Sequence, residues 1–163
     1  MAIFDLLIYP DANLKTISTP VTVFDEKLWV FIANLEETMR AGPGSVGIAA
    51  PQVGYFKRIV IVDVSSKPQI KNNGRLLLIN PEITNWKGSK VGREGCMSVP
   101  GFTGNVVRAK TIHVQAVDEY GRKHEYDMEG YEARAVQHEI DHIEGLLFLD
   151  RLVSRRQDLF IRS

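Results

Sequence analysis

Residues 129–145 constrain this chain most tightly. Ala133, Val136, Ile140, Ile143 and Leu147 recur there at a helical period along one stripe, and Gly145 stands near the end of a helix in that phase. The same segment contains Gln137-His-Glu-Ile-Asp-His142, in which His138 and His142 are four residues apart. On a helix, side chains at that spacing project from the same side, one turn above the other. The fold must therefore pack an apolar stripe and present two imidazoles from one helix. Imidazoles so placed can hold one metal ion, and Glu139 can reach a water on that ion and act as general base. The plain alternative is a solvated helix face that carries two histidines.

A catalytic divalent ion usually takes three protein ligands and keeps an open position. A zinc-peptidase spacing would put a third histidine at position 148, which is Phe148, and only 15 residues lie beyond it. The third ligand is therefore sought upstream, among His113, His124 and Cys96. Both histidines fall on strand-like segments, where they read equally well as polar residues of a sheet face or hairpin. Cys96 lies in Glu94-Gly-Cys-Met-Ser98, where Gly95 allows a close approach and a thiolate would be a soft, strong ligand. A lone cysteine is also readily a small buried hydrophobe.

The rest of the chain supplies a scaffold of about one domain, and we expect a single catalytic domain over residues 1–163. Leu28, Ile32, Leu35 and Met39 predict a first amphipathic helix between Asp25 and Gly42. Residues 58–64 and 75–79 read as strands, and residues 111–117 and 123–127 as a hairpin around Asp118-Glu-Tyr-Gly-Arg122. Hairpin-length connections outnumber helical crossovers, so the expected class is α+β with mainly antiparallel sheet. The glycine-rich stretch 42–54, read as a small-residue loop, fits no phosphate cradle. It lacks the Walker lysine, and it follows a helix where the dinucleotide fingerprint follows a strand.

Charge and cysteine content exclude further classes. Twenty basic residues balance 20 acidic ones, so no overall field draws the chain to nucleic acid or an anionic membrane. The longest apolar run, residues 28–33, is far below the roughly 18 residues of a membrane span, and the start reads as mature protein. One cysteine excludes an intrachain disulfide and suits a reducing, cytoplasmic compartment.

Three segments, Ser45-Val-Gly-Ile-Ala-Ala-Pro-Gln52, Glu94-Gly-Cys-Met-Ser98 and Gln137-His-Glu-Ile-Asp-His142, resemble in order and spacing the three motifs of the peptide deformylases. The likeness extends to Ile8-Tyr-Pro-Asp11 and Gly145-Leu-Leu-Phe-Leu-Asp150 and so spans nearly the whole chain. It implies an α+β fold with the metal helix packed among short antiparallel sheets. It also implies a metal-dependent hydrolase of protein biosynthesis that removes the formyl group from N-formylmethionyl nascent chains. By that resemblance Cys96, His138 and His142 hold one divalent ion, ferrous iron, with zinc, nickel or cobalt able to occupy the site. A water on the ion is the nucleophile and Glu139 the base and acid, while the Gln52 amide and the Met97 backbone N–H receive the oxyanion. Val46, Gly47, Tyr131 and Ala135 would border the methionine pocket; all but Gly47 also read as core.

Glu94, Arg108 and Asp141 are candidates to orient the ligands, though each is equally an ordinary surface charge. Two positions depart from the family pattern. Ser45 replaces a loop glycine, and Thr103 stands where some members carry an arginine that grips the peptide. The basic tail, with Arg151, Arg155, Arg156 and Arg162, would touch ribosomal RNA or else form a solvated terminal helix or a frayed end. The expected form is a monomer. The competing readings are a metallopeptidase or other amide hydrolase with the same ligands, and a metal-holding binding protein, which would have no use for Glu139 and Gln52.

Overall fold

A computed structural model describes residues 2–67, 69–154 and 156–162, and a short 3-10 helix, Ala12–Lys15, precedes its first α-helix. The Asp25 side chain accepts from the Leu28 N–H at 3.0 Å, and helix α1 runs Glu26–Ala41 from that cap. Strands β1 (Gly47–Ala49), β2 (Ile59–Asp63) and β3 (Arg75–Lys87) follow. After them come β4 (Lys90–Cys96), β5 (Val99–Arg108), β6 (Thr111–Val117) and β7 (Lys123–Glu129). Helix α2 (Gly130–Ile143) and a last strand, β8 (Leu159–Ile161), complete the order. The strands form one five-stranded sheet, β1-β2-β3-β6-β7, and one three-stranded sheet, β4-β5-β8, with every pairing antiparallel.

The alternation of side chains along β2 explains the layers. Ile59 and Ile61 join Leu28, Ile32, Leu35 and Met39 of α1, while Val60 and Val62 join Ala133, Val136 and Ile140 of α2. The large sheet is thus covered on both faces, which is why residues 59–62 are apolar without a break. A third cluster, built on Leu14, Val99, Val106, Leu147 and Phe148, closes the small sheet. Helix α2 reaches that sheet through polar side chains. It ends at Gly145 (φ 77°), where the Leu146 N–H returns to the Asp141 carbonyl and a Cβ would collide with the Lys15 carbonyl.

The α+β class, α1, β2, the β6–β7 hairpin and α2 agree with the sequence-based expectation. Four segments differ from it. Residues 48–54, expected as a loop, are the end of β1 followed by a 3-10 helix, Ala50–Val53. The strand expected over 75–79 continues to Lys87, because Asn80 (φ 51°) bulges the chain and its side chain bonds both backbone groups of Val21. Strands β4 and β5 carry too many polar residues and glycines to show a period, yet they pair from Lys90↔Arg108 to Cys96↔Val99. The tail is neither a terminal helix nor frayed at its end: β8 pairs with β5. Arg155, one of the tail arginines, lies outside the described residues. No described helix is long and apolar enough to cross a membrane.

Leu35 is fully buried between α1 and the large sheet, so Leu35→Ala should cost about 2–5 kcal/mol. Loss of the cap in Asp25→Ala should cost about 1 kcal/mol. Urea unfolding of the two variants beside the wild type checks both values, and equal midpoints would contradict this account of the packing.

Candidate metal centre

Three separate pieces of chain supply the site. Cys96 closes β4, His138 and His142 sit one turn apart on α2, and Gln52 lies in the 3-10 helix after β1. Donor atoms of Cys96, His138 and His142 all lie within 4.8 Å of one another. Cys96 Sγ is 3.4 Å from His142 Nε2. The donor chemistry, one thiolate with two imidazoles, suits a borderline transition-metal ion such as iron, nickel, cobalt or zinc. Both histidines are buried, which removes the alternative of a solvated helix face.

The imidazoles are oriented from behind. His138 Nδ1–H donates to Glu94 Oε1 at 2.9 Å, leaving Nε2 free to bind. Glu94 also receives Arg108 through two bonds of 2.9 Å and Arg134 Nη1 at 2.7 Å. Arg108 reaches across to Asp141 at 2.5 Å, and Asp141 accepts two further bonds from Arg151. Burial alone would raise the Glu94 carboxyl, but Arg108 and His138 outweigh it and hold the group well below the ordinary range. Glu94, Arg108 and Asp141, readable from sequence as ordinary surface charges, are therefore a buried network. Burial lowers His142, reinforced by the charges of His138 and Arg108. His138 is raised despite its burial, through Cys96 and Glu94.

Glu139 points into the same space from α2. Burial pushes its carboxyl up to about 7, and its Oε1 has no hydrogen-bond partner among the described residues. This orphaned oxygen, 3.9 Å from His142 Nε2, fits a site that receives both an ion and a water. Gly47 makes room for it: a Cβ on β1 at that position would stand 2.7 Å from Glu139 Oε2. Gln52 is buried rather than an exposed loop amide. Its Oε1 accepts from the Ala49 N–H at 2.9 Å, so its NH2 must face the other way, toward Ser98 Oγ at 3.1 Å and Cys96 Sγ at 3.6 Å. The N-terminal segment ties these loops together, with Leu7 N–H donating to the Gln52 carbonyl and Tyr9 N–H to that of Ser98.

A cleft of about 400 Å³ opens onto the centre. Val46, Gly47, Gln52, Cys96, Met97, Tyr131, Ala135, His138 and Glu139 line it, so every expected site residue except His142 borders one space; His142 lies behind, against Cys96. Ser45, in place of the loop glycine, donates its hydroxyl to the Gly47 carbonyl and keeps the loop closed. Thr103 accepts from Arg93 of the neighbouring strand at 3.3 Å. The other histidines are spread elsewhere: His113 pairs with Asp127 and Glu125, and His124 with Asp118. Sequence reasoning assigned no role to Ser98 or Arg134, and it placed Arg151 only in the basic tail. Arg134 was the most accessible of these, since it precedes His138 by four residues on the helix.

Known proteins share this fold and much of this sequence. The polypeptide deformylase family model matches residues 3–158. The peptide deformylase of Thermodesulfovibrio yellowstonii is 41% identical over 98% of this chain and 95% of its own. That of Alkalilimnicola ehrlichii is 43% identical over 93% and 83%. Among solved structures, the Legionella pneumophila peptide deformylase superposes with a TM-score of 0.87 at 39% identity, covering 95% of this chain and 90% of that one. An Acinetobacter baumannii peptide deformylase with Met-Ala-Ser bound does so with a TM-score of 0.85 at 33% identity, covering 93% and 99%.

Two outcomes are expected of the centre itself. Cys96→Ala should abolish stoichiometric metal in elemental analysis while far-ultraviolet circular dichroism stays that of the wild type; full occupancy would remove Cys96 from the ligands. Arg108→Met leaves Glu94 and Asp141 buried without their shared partner, so denaturant unfolding should report a loss of about 3–5 kcal/mol. An unaltered midpoint would mean that the network does not anchor α2.

Proposed function

The chain belongs to the peptide deformylase family, and from that membership and the cleft we propose how its residues remove the formyl group from N-formylmethionyl chains. The reaction is a hydrolysis of protein biosynthesis, and the chain is an enzyme. One observation carries the reading: a buried carboxyl oxygen, Glu139 Oε1, without a hydrogen-bond partner among the described residues, beside a cysteine sulfur and two imidazoles whose donors converge. Cys96, His138 and His142 would hold the ion, which we take to be ferrous iron from the family resemblance, with zinc, nickel or cobalt able to use the same donors. When bound, the ion supplies positive charge that acidifies water and polarises a carbonyl oxygen.

Glu139 accepts the proton of the attacking water and returns it to the amine nitrogen as the carbon–nitrogen bond breaks, releasing formate and a free N-terminus. The Gln52 amide, held in one orientation by the Ala49 N–H, and the backbone N–H of Met97 donate to the oxygen that gains charge. Glu94 holds His138 in the tautomer that leaves Nε2 free. Val46, Gly47, Tyr131 and Ala135 receive the methionine side chain, consistent with their shared cleft and with Met-Ala-Ser seated in the Acinetobacter relative.

We read residues 1–163 as one catalytic domain, since the cleft draws its lining from residues as far apart as Pro43 and Arg162. A monomer in the cytoplasm accords with the single unpaired cysteine. Ribosome contact would fall to the exposed Arg156, because Arg151 is engaged by Asp141 and Arg162 faces the cleft.

Glu139→Ala should keep its metal yet lose about a hundredfold to ten-thousandfold in single-turnover rate on a formyl-Met peptide. The close walls at Gly47 and Gly95 should slow acetyl-Met peptides at least about a hundredfold and leave internal peptide bonds uncut. Parallel assays of formyl-Met, acetyl-Met and unmodified peptides, read by mass spectrometry, check this. Similar formyl and acetyl rates, or new internal fragments, would transfer the site to a general metallopeptidase.

A further inference from the structure

Strand β8 delivers the end of the chain to the rim of the cleft. Thr103↔Phe160 and Phe102↔Ile161 set its register on β5, and the Arg162 N–H donates to the Gly101 carbonyl at 2.8 Å. From there the guanidinium lies across Gly95, next to Cys96, so closely that a Cβ on Gly95 would collide with Arg162 Nη2. Three arginines line the cleft: Arg93, Arg134 and Arg162. Arg134 is engaged by Glu94 and by the carbonyls of Lys90 and Val106. Arg93 donates to Thr103 and Asn105 and covers the Phe160 ring at 3.7 Å. Arg162 alone among them has no side-chain acceptor among the described residues, and it is exposed.

A formylated substrate carries no charge at its blocked end. Beyond the first residue it offers carbonyl oxygens and, where the peptide stops, a carboxylate. A planar guanidinium at the rim matches both acceptors. We propose that Arg162 donates hydrogen bonds to an oxygen acceptor of the substrate downstream of its formylmethionyl residue, and so determines how much an extended peptide gains over formylmethionine alone. The proposal rests on the deformylase reading above.

The test measures kcat and KM of the metal-loaded protein on formyl-Met-amide, formyl-Met-Ala-Ser-amide and formyl-Met-Ala-Ser with a free carboxylate. The tripeptides should exceed formyl-Met-amide in kcat/KM. Arg162→Gln should shrink that advantage about five- to tenfold through KM, on the scale of one exposed charge-assisted hydrogen bond, with Arg162→Lys recovering part of it. Arg122→Gln, which removes a positive charge from the distant β6–β7 turn, should keep the advantage. A loss on both tripeptides identifies a main-chain carbonyl as the acceptor, and a loss on the free acid alone identifies the carboxylate; either supports the proposal. Persistence of the advantage in Arg162→Gln overturns it, and so does an equal loss on formyl-Met-amide, which would make Arg162 a support of the fold. Hydrolysis of none of the three by the wild type would instead overturn the deformylase reading and the proposal with it.

Discussion

Arg108 is the charge on which the centre depends. It comes from the end of β5, lies almost wholly out of water, and bridges Glu94 on β4 to Asp141 on α2. Burying a guanidinium with two carboxylates costs several kcal/mol of solvation per ion, offset here only because each group finds direct partners. The arrangement joins the small sheet to α2, where apolar contact is sparse. It also fixes the carboxylate that orients His138. A structural ion pair and a ligand-orienting hydrogen bond thus share one side chain, Glu94, so stability and metal geometry are coupled at that residue.

Helix α2 satisfies two environments at once. Ala133, Val136, Ile140 and Ile143 pack against the large sheet, while Arg134, His138 and Asp141 engage the small one. Glu139 is wedged against β1, where Gly47 permits the approach. The helix is therefore clamped between sheets rather than resting on one. This clamping keeps a carboxyl group out of water beside the candidate metal ligands, and burial raises its affinity for a proton.

Much of this was legible in residue order. The apolar period of α1 and α2, the start of α1 after Asp25 and the spacing of His138 and His142 are local properties, and local rules read them correctly. Gly95 beside Cys96 and the motif around Gln52 directed attention, through resemblance, to a thiol and an amide that the fold does bring to one cleft. Strands β4 and β5 were not legible, because their polar and glycine residues suit a twisted, partly exposed hairpin that shows no clean alternation. Arg134 drew no attention and Arg151 was read only as part of a basic tail, since a charge reveals its partner only when the partner's segment is known.

The sequence by itself determined which groups are candidates for chemistry: a thiol, two imidazoles one turn apart and the glutamate between them. It determined also that their helix must bury one stripe, since spacing on a helix is set by backbone geometry alone. Only the tertiary structure decided that Cys96, 42 residues upstream of His138, approaches both imidazoles while His113 and His124 stay with exposed carboxylates. The same folding brought Arg162, near the far end of the chain, to the rim of the cleft through β8. Strand pairing and burial are contacts between distant segments, and their energy depends on neighbours that no local pattern encodes.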